Sequence, residues 1–193
     1  MIVLMLACAT PAPEAGPEPV ATASPRPSPP ERYALGRAAT PEEVAAWDRD
    51  VDSSWNGLPA GKGTAAEGKA LYAAKCLMCH GPDAKGGQGW LGPNLVAKEP
   101  VSGFGADYHP PRTVGNYWPY ASTVFDYIYR SMPQTAPASL SADETYALVA
   151  FLFAENGIVA ADATLDQDSI KQVVMPVQDK FVEDDRLGTN QFR

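Results

Sequence analysis

Apolar residues recur at helical spacing in four stretches of the chain, separated by segments with little to bury. Thr40-Pro41-Glu42-Glu43 places a hydroxyl cap, a proline at the first helical position and a glutamate three residues after the cap, which together mark a helix start. A short helix through about Asp48 is predicted, with Val44 and Trp47 three apart on one face and expected to dock on the domain. Thr64-Ala65-Ala66-Glu67 repeats that capping pattern and predicts a helix to Lys75. Along it Gly68, Tyr72 and Cys76 fall four apart, on one stripe. A third helix is expected from Ser122, with Val124, Phe125 and Ile128 as its apolar face, ending at Ser131-Met132-Pro133. Leu140-Ser141-Ala142-Asp143-Glu144 opens the last, whose stripe is Tyr146, Val149, Leu152 and Phe153, with Gly157 as its C-terminal stop.

The connecting segments read differently. Asn56 to Gly63 is a Gly/Pro turn region, and the run from Gly81-Pro82 to Gly92-Pro93-Asn94-Leu95 cannot be regular helix or strand. From Ile158 to Arg193 helix signals are few, so this is expected to be a tail that wraps the domain or contacts a partner. The prediction is an all-α domain of short helices over 35–160, with extended segments before and after it. Residues 1–8 read as a signal remnant, 9–34 as a linker and 161–193 as the tail.

Met1 to Ala9 are apolar and resemble the hydrophobic part of a secretion signal, too short to span a membrane. No Lys or Arg precedes them, so either the signal begins upstream of Met1 or the start lies elsewhere. Leu4-Met5-Leu6-Ala7-Cys8 resembles a loose lipobox, with Met5 where Leu is preferred. The expectation is a lipid anchor at Cys8, against a plain signal with an incidental cysteine, and a periplasmic location in either case. Membrane contact is expected only through that anchor. Pro11 to Pro30 carries almost no large apolar residue and is expected to be extended. At roughly 3 Å per residue it is either a spacer of tens of Å or an inert leader.

The chain of 193 residues has a formal net charge of -8 and a pI near 4.7. That disfavours nucleic acid as a partner, and fits steering toward a basic protein face.

The candidate chemistry centres on Cys76-Leu77-Met78-Cys79-His80. C-x-x-C-H is the spacing at which two cysteines reach the two vinyl groups of one haem, leaving the histidine placed to ligate iron. The other readings are a thioredoxin-like C-x-x-C, a zinc half-site or a chance match. Zinc would need about four N/S ligands, and the rest of the chain offers only Cys8 and His109. The expectation is one covalent haem c on Cys76 and Cys79, with His80 on the iron. Tyr117, Trp118 and Tyr120 are aromatics with polar tips that suit a macrocycle edge, with Trp118 the one picked out as a haem contact. Arg112 is either a partner for a haem propionate or a surface arginine. His109 is either a distal ligand or, between Tyr108 and Pro110-Pro111, a loop histidine. Asp83 and Lys85 read as solvated charges.

Gly68-x-x-x-Tyr72-x-x-x-Cys76-x-x-Cys79-His80 resembles class I cytochromes c. The resemblance implies their fold, with Gly68 letting the first core helix cross closely over the last. It also implies that the Pro93 carbonyl faces the ring of His80, and that Met132, before Pro133, is the distal iron ligand. Met175, also followed by proline, is the competing methionine. A further likeness runs through Thr113-Val114-Gly115-Asn116-Tyr117-Trp118-Pro119-Tyr120-Ala121, Phe125-Asp126-Tyr127-Ile128 and Arg130-Ser131-Met132-Pro133. With Leu35-Gly36-Arg37, Thr40-Pro41-Glu42-Glu43, Trp47-Asp48 and Val174-Met175-Pro176, it is similar to the cytochrome subunits of Sox sulfane dehydrogenase and related sulfite dehydrogenases. Some of those carry a second haem domain, whereas this chain has a single C-x-x-C-H.

That likeness implies outer-sphere electron transfer, with electrons accepted from a molybdenum-containing dehydrogenase subunit and passed to a downstream cytochrome. No catalytic residue of its own is expected. The alternatives are a membrane-tethered lipoprotein cytochrome serving a respiratory complex or oxidase, and a haem enzyme or sensor with an exchangeable sixth position.

Overall fold

Three capping boxes set the starts of the helices in the computed structural model, which describes residues 35–86, 89–97 and 112–182. Helix α1 spans Pro41–Trp47 and α2 spans Ala65–Lys75, capped by Thr40 and Thr64. Helix α3 is a single turn, Leu77–His80, and α4 spans Ala121–Ser131. Helix α5, Ala142–Glu155, is capped by Ser141. In each box the cap hydroxyl accepts from the N–H three residues on, and the glutamate there accepts from the cap's own N–H. Two otherwise orphaned donors are satisfied at each of these three starts, whereas α3 and α4 have no side-chain cap. The end of α5 closes through Gly157 N–H to Ala154 O and Ile158 N–H to Phe153 O, the paired reverse bonds of a Schellman stop.

The chain divides into two units, Met1–Ala38 and Ala39–Arg193, and the elements above all lie in the second. Helix α5 is its centre. Every residue from Thr145 to Phe153 is buried, so the four-residue stripe read from the sequence understates a helix that is enclosed on all sides. Helix α2 crosses it at Gly68. A Cβ added there would collide with the backbone of Ala147 and approach Phe151 Cβ to 2.7 Å, so only glycine admits this crossing. One helical turn on, the rings of Tyr72 and Phe151 lie 5.2 Å apart, and Lys75 Nζ meets Glu144 Oε1 at 2.7 Å across the same seam. Helix α4 packs on the other flank, with Phe125 4.8 Å from Tyr146.

A two-stranded ribbon completes the unit. Strand β1, Lys62–Thr64, pairs antiparallel with β2, Thr164–Asp166, in the register Lys62 to Asp166, Gly63 to Leu165 and Thr64 to Thr164. The segment after α5 thus adds a strand. It also places Ile170, Met175 and Val177 among the buried residues. The helical class stands, with this small ribbon added.

One expectation fails. Helix α1 has no buried residue, and Val44 and Trp47 are 49% and 88% exposed. Seven residues offer too little apolar area to fasten a helix, so its capping box and the chain behind it hold it instead. There Arg49 stacks 4.2 Å above the Tyr129 ring and bonds Ala138 O at 2.8 Å, and Val51 N–H donates to Asp126 Oδ1. Among the described residues no helix is long and apolar enough to cross a membrane.

Gly68→Val is expected to lower stability by about 3 kcal/mol in urea unfolding through overpacking against the α5 backbone. Trp47→Ala should stay within about 0.5 kcal/mol of wild type. A Gly68→Val protein unfolding at the wild-type midpoint would mean that the α2–α5 crossing is not the central contact.

Candidate functional site

Cys76 ends α2 and begins α3, because its N–H still bonds Tyr72 O while its carbonyl accepts from both Cys79 and His80. The tight turn that follows places both thiols and the imidazole at the end of the helix that α5 holds. Cys76 and Cys79 are half-buried and not in disulfide linkage. Tyr72 fixes the next step of chain, its hydroxyl donating to Gly81 O at 2.6 Å. Burial pushes this phenol well above its ordinary range, so it remains a donor.

The loop after α3 returns onto the imidazole. Gly86 N–H bonds His80 O and Gly92 N–H bonds Cys79 O, both at 2.8 Å. Pro93 O then lies 2.9 Å from His80 Nδ1. A carbonyl oxygen only accepts, so Nδ1 carries the proton and Nε2 presents a lone pair. Such a bond orients an imidazole ligand and raises its basicity. Gly92 is required by proximity, since a Cβ there would sit 2.6 Å from both Nδ1 and Cε1 of His80.

The far side of the loop is pinned to the body of the protein. Leu95 and Val96 N–H both bond Ala84 O, and Val114 N–H bonds Leu95 O. Asn156, at the C-cap of α5, accepts from Ala97 N–H and donates to the carbonyls of Leu95 and Leu152. Sequence reasoning missed Asn156, although an asparagine directly before the glycine stop of the longest helix was a signal available to it.

The other expected site residues take distinct positions. Met132 is the C-cap of α4, half-buried, and packs against the core, as do Cys76, Leu77, Leu95 and Trp118. Trp118 lies 5.5 Å from the Tyr127 ring. Met175 is fully enclosed, at 2% exposure. Arg112 is exposed, with its guanidinium 4.5 Å over the Tyr117 ring, and Phe181 meets that ring from another direction. Cys8 and His109 lie outside the described residues.

These donors fit a group held by two thioether links and one imidazole. Burial pushes the Cys76 thiol up to about 11, which favours a neutral sulfur over the thiolate a zinc site requires. Among the described residues no three His, Cys, Asp or Glu side chains converge as a metal cage. Leu77, Leu95, Trp118 and Met132 are half-buried apolar side chains packed against the core.

Comparison with known proteins agrees with that fit. Residues 63–152 match the family model described as cytochrome c oxidase, cbb3-type, subunit III. Among solved structures, the sulfane dehydrogenase SoxCD from Paracoccus pantotrophus matches with a TM-score of 0.69 and 44% identity. The match covers 83% of this chain and 76% of that one. Comparison with curated protein sequences gave no match.

Gly92→Ala should force the His80 ring off the Pro93 carbonyl. In NMR spectra the Nδ1 proton of His80 is then expected to exchange much faster with solvent than in wild type, and unchanged exchange would mean that the loop relaxes around the added methyl.

Proposed function

Because the chain belongs to the class I cytochromes c, we propose that it takes electrons from a molybdenum sulfur-compound dehydrogenase subunit and passes them to a downstream cytochrome. The family and its covalently bound haem c follow from the matches above. The haem supplies a one-electron iron couple, and the rest is the work of this chain. The observation that carries the donor assignment is the 44% identity to SoxCD over most of both chains.

In this reading Cys76 and Cys79 would anchor the haem, and His80, through Nε2, and Met132 would hold its iron. Met132 is half-buried at the edge of the core, which favours it, while the enclosure of Met175 at 2% exposure argues against that competitor. Thioether sulfur stabilises ferrous iron and raises the potential. Trp118 would contact the macrocycle edge. The stacking of Arg112 on Tyr117 leaves a propionate contact resting on sequence alone. Electrons enter and leave by outer-sphere transfer at the edge near the two cysteines. There Met78 and Leu91 are 80% and 89% exposed, an apolar surround suited to a partner that docks and departs. Export to the periplasm and a lipid anchor at Cys8 also belong to the proposal and rest on the sequence of the first residues.

A second reading has its own support. The match to a cbb3-type oxidase subunit III model over 63–152 favours a membrane-tethered cytochrome that feeds an oxidase. The two readings part in one experiment: the protein is isolated with its native partners, assayed for molybdenum, and mixed with sulfite or thiosulfate. Haem reduction by either substrate with molybdenum present is the expected outcome. Reduction by a respiratory donor alone, without molybdenum, would replace the first reading with the second.

Met132→Ala is expected to lower the midpoint potential and to let carbon monoxide bind the ferrous protein. A wild-type potential with no carbon monoxide binding would pass the distal role to Met175 or His109.

A further inference from the structure

The side chain of Asn156 sits where three separate segments meet, and nothing in the electron-transfer reading uses it. It is 6% exposed. Oδ1 accepts from Ala97 N–H at 3.0 Å, while Nδ2 donates to Leu95 O at 3.1 Å and to Leu152 O at 2.8 Å. Gly115 packs against it so closely that a Cβ there would collide with Oδ1 and lie 2.8 Å from Ala97 O. One amide thus ties the end of α5 to the loop at 95–97, with Gly115 of the turn at 113–116 packed against it.

Few other side chains could do this. The task needs an acceptor and two donors on one short planar group, which asparagine has and aspartate or leucine of similar shape lacks. Removing it would leave the part-buried Ala97 N–H without this acceptor and free the loop from α5, while Leu95 O and Leu152 O keep their bonds from the N–H groups of Val114 and Asn156.

The tie has a direction. Leu95 is two residues beyond Pro93, and its own N–H is held by Ala84 O, so the Asn156 bonds to Leu95 and Ala97 fix the segment that carries the Pro93 carbonyl. That carbonyl holds His80 Nδ1. We propose that Asn156 is a positioning residue for His80: from the end of α5 it sets the strength of the His80–Pro93 hydrogen bond, and through it the basicity of the imidazole toward iron. The inference rests on the reading of His80 as an iron ligand. A weaker bond to Nδ1 makes the imidazole a poorer donor to ferric iron. Loss of Asn156 therefore raises the potential, opposite in sign to loss of Met132.

The test uses the haem-loaded full chain as wild type, Asn156→Ala and Asn156→Asp. The aspartate keeps the acceptor for Ala97 N–H but loses both donors. In each variant exchange of the His80 Nδ1 proton should quicken about tenfold, the scale of one ordinary hydrogen bond, and the midpoint potential should rise. Wild-type exchange and potential with only a lower melting temperature would make Asn156 a structural clamp and overturn the proposal. Should neither variant fold, wild type still decides. If the loop and the imidazole open together, the Ala97 amide and the His80 Nδ1 proton have matching protection, and widely different protection overturns the coupling. Failure of the underlying reading looks different, because wild type would then lack the low-spin spectrum of an iron with an axial histidine.

Discussion

The close crossing of α2 over α5 is the contact on which the other features rest. It brings a glycine against the backbone of Ala147, and in doing so fixes the end of α2, from which the two cysteines and the histidine follow, against the buried helix. Two helices that approach this closely exchange dispersion contacts along their whole shared length. The aromatic pair Tyr72 and Phe151 and the ion pair of Lys75 with Glu144 continue the seam on either side. The exposed ion pair adds little by itself. What the crossing provides is a fixed platform, since the short α3 has no buried residue of its own and takes its position from α2.

Upon that platform the surroundings of His80 are built almost wholly from irregular chain. The loop from Gly81 to Ala97 has no repeating backbone pattern to satisfy its polar groups, so the bonds are made individually: to Tyr72, Cys79, His80, Ala84 and Asn156. All but Ala84, which belongs to the loop itself, lie on or at the end of a helix. A low-reorganisation electron carrier needs its ligands held alike in both oxidation states. Here that rigidity comes from a loop bonded at many points to a stiff core.

The parts legible in the sequence were those governed by neighbours in the chain. Thr40, Thr64 and Ser141 announce helix starts because a capping box spans only four residues. The C-x-x-C-H spacing is likewise local, and it led directly to the haem. The contact of Pro93 with His80 came through likeness to a family, since nothing in the spacing of thirteen residues dictates it. Features set by distant chain were not readable. Strands β1 and β2 are three residues each, too short for a period to show, and they pair across the whole domain. Asn156 acts on backbone groups of Leu95 and Ala97, which any residue type would present. Trp47 failed for the opposite reason: two apolar residues three apart satisfied the pattern of a docking face, but a seven-residue helix has no further turn to complete one.

The order of segments along the chain also bears on how the protein is made. Cys76 and Cys79 emerge from the ribosome before α4, before the helix that covers Gly68, and well before β2, which closes the ribbon with β1. Until those later segments arrive, the two thiols sit on an α2 that lacks its principal packing partner, in a chain whose loop has nothing to be pinned to. The two sulfurs therefore stay accessible for as long as α5 and β2 are not yet in place, and the contacts that enclose them come from chain that follows the motif. The attachment motif lies toward the front of the domain, and the segments that pack over it lie behind it.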